Sequence, residues 1–157
     1  MTEKPPLVAS RWETPFENAD PDRVHLVRVT YPSSPWVSLN GGPHYDLSEF
    51  TREDEEFEII VFNEEDRTVY SIKADASAVR IHDEGNLEKL DRWNEDTGRS
   101  SIRLTGSALH RTLSSFVNGE EPTYLVATGW DCVEFICLNE PRIEMLGEVE
   151  DSSKTFH

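Results

Sequence analysis

The chain has 157 residues, with 31 Asp and Glu against 15 Lys and Arg, a formal net charge of −16. That length is most simply one domain, and it is enough to bury roughly 70% of the surface of the unfolded chain. A field of this sign disfavours nucleic acid and anionic membrane as partners and favours basic proteins or cations.

Hydrophobic residues make up 36% of the chain, but they include four Trp, seven Phe and four Tyr, so the composition favours a folded, highly solvated protein over a disordered one. Met1 to Ser10 has no basic-then-apolar leader pattern, and no run approaches the ~18–20 apolar residues of a membrane span. The expectation is a cytoplasmic protein. Cys132 and Cys137 are separated by an odd number of residues on one predicted strand, so they fall on opposite faces and are not expected to pair.

In chain order, residues 1–22 hold Pro5, Pro6, Pro15 and Pro21 and read as an irregular lead-in pinned to the body by Trp12 and Phe16. Val24 to Tyr31 reads as a strand. Val27, Val29 and Tyr31 share one face while Val24 and Leu26 take the other, a two-sided pattern that suggests a central strand. Pro32 to Pro43 is turn-rich, with a short strand at Trp36, Val37 and Leu39, and Asp46 to Phe50 reads as a helical turn. Phe57 to Asn63 alternates cleanly. The link Glu64-Glu65-Asp66-Arg67 joins it to a second strand, Thr68 to Lys73, as a hairpin. Ala78 to His82 is expected as the third strand of the same meander.

Leu87 to Trp93 predicts a helix, Ser101 to Leu104 a short strand, and Ser107 to Val117 a second helix with Leu109, Leu113, Phe116 and Val117 on one stripe. Thr123 to Thr128 and Asp131 to Leu138 flank Gly129-Trp130 as another hairpin, and Arg142 to Leu146 adds an edge strand. The expected fold is α+β: a mostly antiparallel sheet of about 6–8 strands with helices at about 86–94 and 107–118. It occupies 23–147, with a polar tail over 148–157.

A catalytic signature is missing. There is no G-x-S-x-G, and Ser107 with His110 is explained as a cap beside a solvent-facing residue. Neither cysteine has a basic neighbour to lower its pKa. Nor is there an H-E-x-x-H, C-x-x-C or H-x-H for a metal, a P-loop or a G-x-G-x-x-G. His82, Asp83 and Glu84 are of ligand type, but consecutive residues on an extended chain diverge, and a solvated turn explains them. Gly41-Gly42-Pro43 is a turn. No catalytic residue, metal site or cofactor is therefore expected.

What remains is the clustered acid. From Glu49 to Asp66 there are nine acidic residues and one base, Arg52. Such a stretch either keeps a sheet edge from aggregating or docks on a basic protein. The docking candidates are Glu53, Asp54, Glu55, Glu56, Glu64, Glu65 and Asp66, with Trp93 as an aromatic anchor. In general profile, as a compact and strongly negative chain without a catalytic motif, the sequence is similar to small bacterial immunity proteins and other acidic inhibitors. That likeness implies a module covering the basic cleft of a toxin such as a nuclease. Two other classes stay open: a small-ligand binder or enzyme whose site forms only in three dimensions, and an assembly module of a phage or secretion system.

Overall fold

The computed structural model describes residues 8–32, 36–38, 42, 44–50, 56–83, 98–107, 109, 122–129, 131–137 and 139–150. Eleven strands have defined bounds: β1 (Val8–Arg11), β2 (Val24–Thr30), β3 (Trp36–Ser38), β4 (His44–Asp46), β5 (Phe57–Asn63), β6 (Thr68–Ala74), β7 (Ala76–Asp83), β8 (Ser101–Thr105), β9 (Thr123–Ala127), β10 (Asp131–Cys137) and β11 (Arg142–Glu148). Among the described residues, two single 3-10 turns, Pro21–Arg23 and Ser48–Phe50, and a helical Leu109 are the remaining regular structure.

The strands form a five-stranded sheet in the order β1-β8-β9-β10-β7, a four-stranded sheet in the order β11-β6-β5-β2, and a ribbon of β3 with β4. Every strand pairing among the described residues is antiparallel. The expected α+β class with two helices is thereby corrected to a mostly antiparallel β fold. The span predicted as the first helix, 86–94, lies outside the described residues. Of 107–118 only Ser107 and Leu109 are described, and both are buried.

The two larger sheets share one core, to which each contributes alternate residues. Phe57, Ile59 and Val61 of β5 and Tyr70 and Ile72 of β6 meet Tyr124, Val126, Val133, Phe135 and Cys137 of β9 and β10. The ring of Phe135 lies 5.1 Å from that of Phe57 and 5.7 Å from that of Tyr124, so aromatic faces and edges knit the two sheets. Each such side chain, fully removed from water, contributes about 2–3 kcal/mol. The Pro-rich lead-in is part of this core. Its β1 pairs with β8, Trp12 sets its ring 5.0 Å from that of Tyr124, and buried Phe16 packs on Tyr70. Glu17 anchors the same segment, its carbonyl accepting the Arg99 and Ser100 N–H groups at 2.6 and 3.0 Å.

β7 does not continue the meander. After Asp75 the chain leaves the four-stranded sheet, and Ala76–Asp83 pairs with β10 in the other one. β2 is an edge strand, not a central one. Its register with β5 shifts between Leu26 and Arg28, so Val27 is the extra residue of a bulge. The bulge resets the two-residue alternation, and Leu26 and Val29 both pack on the core that buries Val24. The two apolar faces seen in the sequence are thus one face interrupted by a bulge.

The sheets differ in their second faces. The outer face of the five-stranded sheet is buried as well: Ile102, Leu104, Leu125, Ala127 and Cys132 form a second apolar cluster there. Cys132 and Cys137 therefore lie in different clusters, both buried. Among the described residues no second apolar cluster lies on the outer face of the four-stranded sheet.

Candidate functional site

Alternation along β5 buries Phe57, Ile59, Val61 and Asn63 and turns Glu58, Ile60 and Phe62, each half-buried, to the outer face. Register then assembles rows across the four strands. Thr30, Glu58, Lys73 and Arg142 form one; Arg28, Ile60, Ser71 and Glu144 the next; His25, Phe62, Val69 and Gly147 the third.

The first row is polar, and its charged members are paired with neighbours outside it. Glu56, just before β5, bridges Arg142 at 2.8 Å and Lys73 at 3.6 Å, and Ser71 donates to Glu58 at 2.5 Å. The other two rows carry an apolar spine of Ile60, Phe62 and Val69. At either edge a bulge adds an exposed aliphatic residue, Val27 on β2 at 58% exposure and Leu146 on β11 at 51%. Val149 is exposed beyond β11, and Met145, opposite the core residue Tyr70, is exposed on the other face of that edge. Exposed Glu144, Glu148 and Glu150 stand beside them.

At the hairpin end this face deepens into a recess of about 510 Å³ lined by Phe62, His25, Glu64, Arg23, Arg67, Val149 and Glu150. His25 stacks on Phe62 with ring centroids 6.0 Å apart, and its Nε2 lies 3.1 Å from Glu64. Arg23 faces Glu65 at 3.6 Å. The turn beneath is braced from within. Asp66 accepts the Thr68 N–H at 3.0 Å and the Tyr70 hydroxyl at 2.8 Å, and Asn63 accepts the Glu65 N–H at 3.2 Å. Arg67 takes the left-handed conformation that lets four residues close the hairpin (φ 55°), and its carbonyl accepts the Val149 N–H. Burial, reinforced by the bond to Asp66, raises the Tyr70 pKa.

The acids singled out in the sequence do not form one patch. Glu53, Asp54, Glu55 and Trp93 lie outside the described residues. Glu56 sits at one end of β5 and Glu64, Glu65 and Asp66 at the other, roughly 25 Å apart along an extended strand. Glu64 alone of them lines the recess; Glu65 stands beside it, and Asp66 holds the turn together. The sequence reading missed the apolar spine, because its members come from four strands and its two edge residues are exposed by bulges. It also missed Glu144, Glu148 and Glu150, whose alternation with aliphatic residues on the expected edge strand was the available signal.

Two other polar clusters differ in kind. On the covered face of the five-stranded sheet, Glu134 is 1% exposed and its Oε1 accepts from Arg80 at 2.6 Å. A second recess, of about 300 Å³, has Arg11, Trp12, Arg103 and Tyr124 in its wall. Arg11 there forks onto Glu17 at 2.6–3.1 Å, and Arg103 lies over the Tyr124 ring. Both clusters tie elements of the fold together. Among the described residues no three His, Cys, Asp or Glu side chains are grouped to hold a metal ion. No helix among them is long and apolar enough to cross a membrane.

No protein-family model matches the chain, and no curated protein or solved structure is significantly similar to it.

Proposed function

We propose that this chain is an acidic protein-binding module whose uncovered sheet face docks a basic partner. The observation that carries the reading is the contrast between the two sheets. One is buried on both faces. The other, among the described residues, carries only the half-buried Ile60, Phe62 and Val69 on its outer face, with exposed Val27 and Leu146 at its edges and exposed glutamates nearby, in a chain of net charge −16. An apolar centre with a charged rim is the anatomy of a protein interface. The surplus of negative charge would steer a basic partner to it. An inhibitor or immunity role, in which this face covers the basic cleft of a toxin, is the form of the reading that uses both features. Two buried cysteine thiols suit a cytoplasmic setting.

The test is a pull-down from the source lysate at low and moderate salt, followed by association kinetics with the captured protein. Glu64, Glu65 and Glu150 are replaced together by Ser, while Asp66 stays because it holds the turn. Association should slow by about tenfold and lose part of its salt dependence, with dissociation little changed. An unchanged association rate, or no basic partner at either salt, refutes the reading.

A further inference from the structure

We infer that the smaller recess, beside β1, binds a free amino acid, with Arg103 and Tyr124 holding its carboxylate and Glu140 its ammonium. This goes beyond the protein-binding reading and does not rest on it, since the recess shares no residue with the uncovered sheet face. The recess, of about 300 Å³, is walled by Arg11, Trp12, Glu13, Arg103, Tyr124 and Glu140. That volume lies at the small end of ligand sites.

Register and burial place the donors. β8 pairs with β9 so that Arg103 stands opposite Tyr124, and its guanidinium lies 5.9 Å from the centre of the phenol ring. That contact steadies an exposed arginine without using up its hydrogen bonds. Trp12 and Tyr124 are 2% and 4% exposed, yet neither the indole N–H nor the phenol hydroxyl has a hydrogen-bond partner among the described residues. Buried polar groups are normally satisfied, and both of these side chains line the recess. Arg103 has no ion pair among the described residues either, whereas Arg11 is engaged by Glu17 and Glu13.

These groups also discriminate among ligands. An indole N–H, a hydroxyl and an unpaired guanidinium are donors, and together they suit a carboxylate. A bare anion is opposed by the net charge of −16 and by exposed Glu140 in the same wall. Burial raises the pKa of the Tyr124 hydroxyl, Arg103 opposes that rise, and Glu140 adds to it. Both charges therefore stand near one hydroxyl. Glu140, like Arg103, has no ion pair among the described residues. One unpaired charge of each sign matches a zwitterion, whereas a simple acid or a simple amine would leave one of them unmet.

The probes are the free α-amino acids, each added to the full chain and followed by calorimetry and by amide chemical shifts around Arg103 and Tyr124. At least one should bind tighter than about 1 mM. The decarboxylated amine and the N-acetylated acid derived from it should each bind at least about tenfold more weakly, because each lacks one charged contact. Arg103→Gln and Glu140→Gln, both at exposed positions, should cost about as much. Tyr124→Phe, which keeps the ring, should weaken binding by about threefold or more. The Glu64, Glu65 and Glu150 variant should bind the amino acid as the wild type does. Four results overturn the inference: no amino acid binding tighter than about 1 mM, equal binding of the amine or of the N-acetylated acid, wild-type binding by Arg103→Gln, or shifts confined to the uncovered sheet face.

Discussion

The Arg80–Glu134 pair sets up the sharpest test of how this fold is held together. Glu134 lies at 1% exposure on the covered face of the five-stranded sheet, and its Oε1 accepts from the Arg80 guanidinium at 2.6 Å. Its Oε2 and the Arg80 Nε are both buried without a hydrogen bond to any described residue. The Arg80 side chain, by contrast, keeps 32% of its surface exposed. The two partners are therefore not equivalent. Arg80→Met keeps the aliphatic stem and removes the charge, leaving the carboxylate buried and uncompensated, which costs about 3 kcal/mol or more. Glu134→Leu leaves a cation that can turn to water, at a cost of about 1 kcal/mol or less. The double variant replaces a half-satisfied ion pair by an apolar contact and should return to within about 1 kcal/mol of the wild type. Urea unfolding followed by the fluorescence of buried Trp12 reads all three. With a slope of about 2 kcal/mol per molar, Arg80→Met lowers the midpoint by roughly 1.5 M. Equal losses from the two single variants, or a double variant worse than either, would refute the argument.

Three further outcomes follow from the packing. Gly98→Ala places a Cβ 2.6 Å from the Ser101 carbonyl oxygen and 2.9 Å from that of Glu17, both main chain, so the lead-in must shift. A loss of about 2 kcal/mol, seen as a fall of roughly 6 °C in Tm, is expected, and an unchanged Tm would show that this approach is not tight. Burial raises the pKa of Tyr31, Tyr70 and Tyr124. The folded state then keeps protons that the unfolded chain releases at about pH 10, so stability is full below that pH and falls as pH rises through the folded values. Tyrosinate absorbance and urea midpoints should move together above pH ~10; a flat midpoint contradicts this. Val27→Ser and Leu146→Ser, at exposed bulge residues, should change stability by less than about 0.5 kcal/mol yet weaken partner binding, which separates docking from folding.

The regular strands were legible because period-two alternation holds wherever one face is buried. Phe57 to Asn63 needed nothing more, and Asp131 onward was bounded by its turn. Three features escaped. β2 looked two-sided because one bulge residue, Val27, shifted the phase of everything after it. β7 was assigned to the wrong sheet because the step after Asp75 leaves no mark in hydrophobicity: either sheet offers the same kind of edge. β1 was hidden among prolines, since four residues paired on one side with β8 need little propensity of their own. The candidate face suffered most. The chain clusters its acid before and after β5, but an extended strand separates those ends, whereas Ile60, Phe62, Val69, Leu146 and Glu144 are distant in sequence and adjacent only through register.

That separation bears on how a charge of −16 can act. Five of the described bases are spent in internal ion pairs: Arg11 with Glu17, Arg23 with Glu65, Lys73 and Arg142 with Glu56, Arg80 with Glu134. These five bases meet four acids, since Glu56 takes both Lys73 and Arg142, so the acids that first draw attention, Glu56 and Glu65, are among those already compensated. The glutamates of β11 and its continuation are different. Glu144, Glu148 and Glu150 are exposed on a strand whose one cation is bound elsewhere. A field screened over about 10 Å in physiological salt is set by such local imbalances more than by the total. The total charge would govern how fast a basic partner arrives, and local imbalances of this kind where it settles. Raising salt should therefore slow association broadly, because the steering field is what it screens.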